Sequence, residues 1–82
     1  MINVLYFAWV RERIGVPREV LETSALTVND LIEELRAKDP RYALAFSDVS
    51  AIRVAVDQQL VDKDAPLKHA REVAFFPPMT GG

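Results

Sequence analysis

Cysteine is absent from this 82-residue chain, which removes disulfides, thiolate metal sites and any side-chain thiol from its chemistry. A reducing, cytoplasmic setting is the expectation. The single histidine, His69, has no second histidine or cysteine to join it, and Asp62 and Asp64 flank Lys63 without the spacing of a calcium loop, so no metal is expected. A formal net charge of −2 lacks the basic footprint of a nucleic-acid binder. No apolar run approaches the roughly 20 residues of a membrane span. The first residues lack the charged lead and cleavage site of a signal peptide. Gly-rich phosphate loops, nucleophile–base pairs and paired catalytic acids are missing too, so the chain is not expected to be an enzyme on its own. What remains is 50% hydrophobic and 27% charged, the balance of one small globular domain. Glycine is scarce as well, yet two of the three stand side by side at the end, Gly81-Gly82.

Hydrophobic alternation predicts a first strand over Ile2 to Val10, with Ile2, Val4 and Tyr6 on one face and Asn3, Leu5 and Phe7 on the other. Gly15 and Pro17 predict a turn over Arg11 to Pro17, followed by a second strand from Arg18 to Thr23 that closes a hairpin. Thr27 is a candidate helix N-cap, with Asp30 in the first turn. Val28, Leu31, Ile32 and Leu35 then recur at helical spacing, and Glu33, Glu34, Arg36 and Lys38 take the opposite, solvated face. Pro40 stops this helix near Lys38 or Asp39, and Arg41 to Ser47 suggests a second helical segment. Ile52 to Val56 is the clearest strand, β-branched and alternating. Asp57-Gln58-Gln59 turns it into a brief return at Leu60-Val61. The last strand runs from Glu72 to Phe76, and Pro77-Pro78 stops it. The order fits an α+β domain, a ubiquitin-like β-grasp in which one main helix crosses a small mixed sheet. The domain is expected over residues 1–76, with an extended tail over 77–82.

A terminal diglycine has one reactive group, the carboxylate of Gly82. That carboxylate is ionised at neutral pH and is a poor electrophile until it is activated, most commonly as an acyl-adenylate made from ATP. Glycine lets the backbone pass close to another surface, and Pro78 to Gly82 can reach about 15 Å from the domain. The two prolines form a stiff stem behind a tip of minimal width.

The ending Glu72-Val73-Ala74-Phe75-Phe76-Pro77-Pro78-Met79-Thr80-Gly81-Gly82 resembles that of the small subunits of molybdopterin synthase. Val4 to Glu12 and Ala55 to Val61 agree with the same family, and the resemblance extends over essentially the whole chain. It implies that the Gly82 carboxylate is adenylated by an E1-like activating enzyme using ATP and converted to a thiocarboxylate by a sulfur donor. The tail (Pro77, Pro78, Met79, Thr80, Gly81) then enters the synthase large subunit, where sulfur passes to a pterin precursor. Two such transfers build the dithiolene of the molybdenum cofactor, and the catalytic side chains belong to the large subunit. No stably bound cofactor is implied. A heterotetramer of two small and two large subunits is. Met79, Asp57 and Trp9 depart from the family's usual residues, which bears on partner fit.

By strand alternation Phe7 and Phe76 point away from the face that holds Val4, Tyr6, Val73 and Phe75. With Leu60 they form a candidate partner interface, since exposed apolar patches mark interaction sites and aromatic anchors dominate interface energy. The resemblance implies docking through a hydrophobic surface beside the tail, which favours an interface there. Arg11, Arg13, Arg53 and Arg71 could meet acidic groups on a partner or simply be solvated. Three other readings stay open: a β-grasp carrier for thiamin, tungsten-cofactor or tRNA thiolation, a ubiquitin-like modifier forming isopeptide bonds, and a binding module with an inert tail. The diproline stem argues against the thiamin carrier.

Overall fold

In the computed structural model, which describes residues 1–78, the chain begins with β1 (Ile2–Tyr6), α1 (Ala8–Ile14) and β2 (Arg18–Leu21). Helices α2 (Val28–Lys38) and α3 (Pro40–Ala45) follow, then a 3-10 turn at Val49–Ala51. Strands β3 (Arg53–Val56), β4 (Gln59–Val61) and β5 (Glu72–Phe76) complete one sheet in the order β2-β1-β5-β3-β4. The middle strand β5 is parallel to its neighbour β1, and every other pair is antiparallel. This is an α+β β-grasp, a mixed sheet with its helices gathered on one face. Among the described residues no helix is long and apolar enough to cross a membrane.

Alternation decides which side of each strand is buried. Ile2, Val4 and Tyr6 of β1, Val54 of β3, and Val73 and Phe75 of β5 face the helices and are buried. Opposite them, α1 contributes Val10 and Ile14, α2 contributes Val28, Leu31, Ile32 and Leu35, and α3 contributes Tyr42 and Ala45 to the same core. The Phe75 ring lies near the middle, stacked on Tyr6 with centroids 6.4 Å apart and met edge-on by Phe46 at 5.0 Å. Such pairs add to the burial of the rings themselves.

The main helix forms as its sequence predicts. Thr27 Oγ1 accepts the Asp30 N–H at 3.2 Å, satisfying one free donor of the first turn. Arg36 and Lys38 occupy the last turn, where positive charge is favoured. Asp39 ends α2 and caps α3, its Oδ1 accepting the Arg41 N–H at 2.8 Å, and Pro40 sits in the first turn of α3, where a missing N–H costs little.

The first strand is shorter than alternation predicts, and of the turn expected over Arg11 to Pro17 the first part, Arg11 to Ile14, is helical, which leaves the turn to Gly15 to Pro17. Chain direction changes at Ala8, whose φ is +52°, and α1 follows at once, with the Phe7 carbonyl accepting the N–H groups of Val10 and Arg11. Val10 and Ile14 are fully buried while Arg11, Glu12 and Arg13 between them are exposed, which a helix satisfies and a strand, which would bury Glu12 with them, does not. Gly15, at φ +98°, closes α1 in the left-handed conformation and donates its N–H to the Arg11 carbonyl at 2.7 Å. β1 and β2 are therefore antiparallel neighbours joined through a helix rather than by a tight hairpin turn, and β2 stops at Leu21 rather than Thr23.

Candidate docking face and tail exit

The strand register fixes what lies on the face away from the helices. Arg18, Leu5, Ala74, Ala55 and Leu60 are paired in one row across all five strands. Phe76 stands one step further along β5, directly opposite Arg53 on β3, and Phe7 follows β1 beside it. The Phe7 N–H donates to the Phe75 carbonyl at 3.1 Å, which extends the β1–β5 contact past the formal end of β1. None of Leu5, Ala55, Leu60, Phe7, Ala74 and Phe76 belongs to the core cluster. Leu60 is 69% exposed and Phe7 46%, while Phe76 is half-buried. The structure thus places Phe7, Phe76 and Leu60 on one sheet face. Phe7 and Phe76 are neighbours at its tail end, and Leu60 lies two strands from Phe76, joined to it through Ala55 and Ala74.

This face carries the chain's exit. β5 is a central strand paired on both sides, so its end is held in place, and Pro77 and Pro78 continue directly from Phe76. Both prolines are half-buried and without regular secondary structure. The remaining expected tail residues, Met79, Thr80, Gly81 and Gly82, lie outside the described residues.

The family model described as ThiS family matches residues 4–82. The chain belongs to the ThiS family. It is 45% identical to the molybdopterin synthase sulfur carrier subunit of Escherichia coli (strain K12), over the whole of both chains. It is 42% identical to the protein of the same name from Haemophilus influenzae, again over the whole of both. Among solved structures, SAMP1 from Haloferax volcanii superposes with a TM-score of 0.72 at 22% identity, covering 99% of this chain and 98% of that one. At that identity the likeness is one of fold.

Two of the three residues expected to bear on partner fit also have internal roles in this ThiS-family chain. Asp57 and Gln58 form the two-residue β3–β4 turn with φ of +49° and +71°, the sign that matches strand twist in a hairpin. Asp57 Oδ1 accepts the N–H groups of both Arg71 and Glu72 at 3.0 Å, fastening this turn to the start of β5. Trp9 is half-buried against the core, and the Arg13 guanidinium lies 4.5 Å from its ring centroid, a cation–π arrangement. The third, Met79, lies outside the described residues.

Sequence reasoning missed Glu19, which the register puts beside Val4 on the buried side of β2. One of its oxygens accepts from the Tyr6 hydroxyl at 2.9 Å and also from the Tyr42 hydroxyl. The other lies 3.5 Å from Lys38 Nζ. Partial burial pushes the Glu19 carboxyl up, but the hydroxyls of Tyr42 and Tyr6 together with Lys38 outweigh it and hold the group below its usual range. Burial, then the hydrogen bond to Glu19, pushes the Tyr42 phenol up to about 12 and raises that of Tyr6 further. Because the folded pKa of Glu19 is depressed, its stabilisation is present above the ordinary carboxylate range and is lost as pH falls through the depressed value. Glu19→Gln is expected to be less stable at neutral pH, by about 1–3 kcal/mol. Its urea midpoint should also fall less steeply than wild type as pH drops from about 5 through the depressed value. Parallel curves for the two proteins would remove Glu19 from the acid response.

Proposed function

We propose that this protein is the sulfur-carrier subunit of a molybdopterin synthase, acting in the cytoplasm. The observation that carries the reading is 45% and 42% identity over the entire length of two molybdopterin synthase sulfur carrier subunits. The bare apolar face from which β5 runs out toward Gly82 supports it. The chemistry belongs to the terminal carboxylate. An E1-like enzyme joins it to AMP, with pyrophosphate leaving, and a sulfur nucleophile then displaces AMP to leave a thiocarboxylate on Gly82. With no cysteine in the chain, the sulfur has no side chain to rest on, so the tip is its only covalent site.

The charged carrier next docks on the synthase large subunit through Phe7, Phe76 and Leu60. The stem of Pro77 and Pro78 aims the tip into that subunit's active site. Sulfur passes to the pterin precursor, and hydrolysis of the remaining acyl group returns the Gly82 carboxylate. Two deliveries supply the two sulfurs of the dithiolene, and two carriers on two large subunits make the assembly a heterotetramer. The carrier holds no cofactor of its own and contributes no catalytic side chain.

Intact-mass analysis of protein isolated from its own host tests this reading. The expected result is a fraction heavier by one sulfur-for-oxygen exchange, confined to the C-terminal peptide and removed by hydrolysis. Carboxylate-only protein from cells that are actively making the cofactor would count against it.

A further inference from the structure

The exposed sheet face is apolar in the middle but not neutral throughout. Arg53 is the residue paired with Phe76, the last strand position before the stem, and Arg18 is paired with Leu5 at the far side of the same face. Both arginines are exposed. Among the described residues neither has a carboxylate within ion-pair distance, whereas Arg36 and Arg41 are matched by Glu33 and Asp39. Asp62, the next residue along from the last β4 pair, does not reach Arg53 within that distance either. The columns between the two arginines are those of β1 and β5, so Phe7 and Phe76 are bracketed by positive charge. At the other end Glu72 is paired with Asn3 and Asp57 accepts the N–H groups of Arg71 and Glu72; Arg71 lines the same shallow depression as these two carboxylates, so that end carries mixed charge.

We propose that Arg53 and Arg18 form a basic rim around the Phe7–Phe76 patch, and that the large subunit meets them with carboxylates placed beside the opening that receives the tail. This rests on the carrier reading above. Three strand spacings separate the two arginines, on the order of 14 Å, which exceeds the screening length of about 8 Å at physiological salt. The two contacts therefore act independently. The arrangement also gives docking a direction. With unpaired positive charge at the tail end and mixed charge at the other, a partner whose carboxylates meet Arg53 and Arg18 accepts the sheet in one orientation, the one that points Pro77-Pro78 into its active site. Apolar contact through the phenylalanines alone would tolerate rotation about the patch. A rim charge of this kind chiefly sets the association rate and its salt dependence, and apolar anchors chiefly set dissociation.

The test measures association and dissociation rates of the full-length chain with the large subunit of its own organism over a series of salt concentrations. Arg53→Glu is expected to slow association by roughly tenfold at low salt, to change the dissociation rate little, and to lose most of the salt dependence. Arg18→Glu should give a similar loss, and the double variant should show the product of the two. Arg53→Lys should stay within about threefold of wild type, since a diffuse steering charge survives that change. Phe76→Arg, on the same face, serves as the reference for the docking reading. If Phe76→Arg abolishes binding while Arg53→Glu and Arg18→Glu associate at the wild-type rate at every salt concentration, the basic rim is wrong and the docking face stands. If Phe76→Arg and both arginine variants bind as wild type does, the docking face falls and the rim falls with it. Unchanged thermal unfolding of each variant establishes that the comparison is between folded proteins.

Discussion

Deleting Gly82 will abolish sulfur transfer and leave the unfolding midpoint where it is. The deletion moves the reacting carboxylate back along the tail by one residue, about 3.5 Å. Reacting groups must meet at about 3–3.5 Å, and a misplacement of about 1 Å already costs on the order of a hundredfold. The expected activity is therefore below about 1% of wild type. Among the described residues every member of the core cluster lies within Ile2 to Phe75, so the midpoint is expected to hold. Gly82→Ala separates position from width: it keeps the carboxylate in register and adds one methyl group, and its loss should be smaller than that of the deletion. Sulfur transfer by the deletion variant at even a tenth of the wild-type rate would disconnect Gly82 from the chemistry.

Phe75→Ala will do the opposite, removing stability. The Phe75 side chain is fully buried between the rings of Tyr6 and Phe46, on the strand that leads to the tail. Truncating a buried phenylalanine costs about 3–5 kcal/mol, because contacts are lost and a cavity is left. A domain of this size has a total stability of the order of 5–10 kcal/mol, so the variant sits close to its unfolding threshold at room temperature. Phe75→Leu keeps most of the volume and should lose only about 1–1.5 kcal/mol. Urea denaturation of the three proteins measures this order directly. A loss below about 1 kcal/mol for Phe75→Ala would contradict the packing described for this ring.

The elements that the sequence reveals best are those whose burial is decided locally. The Val28–Leu31–Ile32–Leu35 stripe with its Thr27 cap, and the alternation of Arg53 to Val56 and of Glu72 to Phe76, each carry their own period, and each forms where that period puts it. Helix α1 was hidden because Tyr6-Phe7-Ala8-Trp9-Val10 is apolar or aromatic throughout and supports a strand as well as a helix. The deciding signal was the all-polar Arg11-Glu12-Arg13 between Val10 and Ile14, closed by Gly15: a strand would put Glu12 on the same face as both apolar residues. For the candidate site, alternation suffices to turn Phe7 and Phe76 outward, but it does not say that Leu60 shares their face. That follows from the sheet order, which sets β3 and β4 beside β5. Glu19 was illegible for a related reason: its partners Tyr6, Lys38 and Tyr42 come from β1, the end of α2 and α3, and only the folded register gathers them.

The central claim is that Gly82 delivers the sulfur. Its most direct measurement is a single-turnover reaction of thiocarboxylated carrier with the large subunit and the pterin precursor, with no other sulfur source present. The account predicts that sulfur appears in the pterin in step with conversion of the Gly82 thiocarboxylate to carboxylate, one atom per carrier. Carrier bearing the plain carboxylate should give no sulfur-containing product. Equal product from the carboxylate form, or a thiocarboxylate that survives while the pterin gains sulfur, would contradict it.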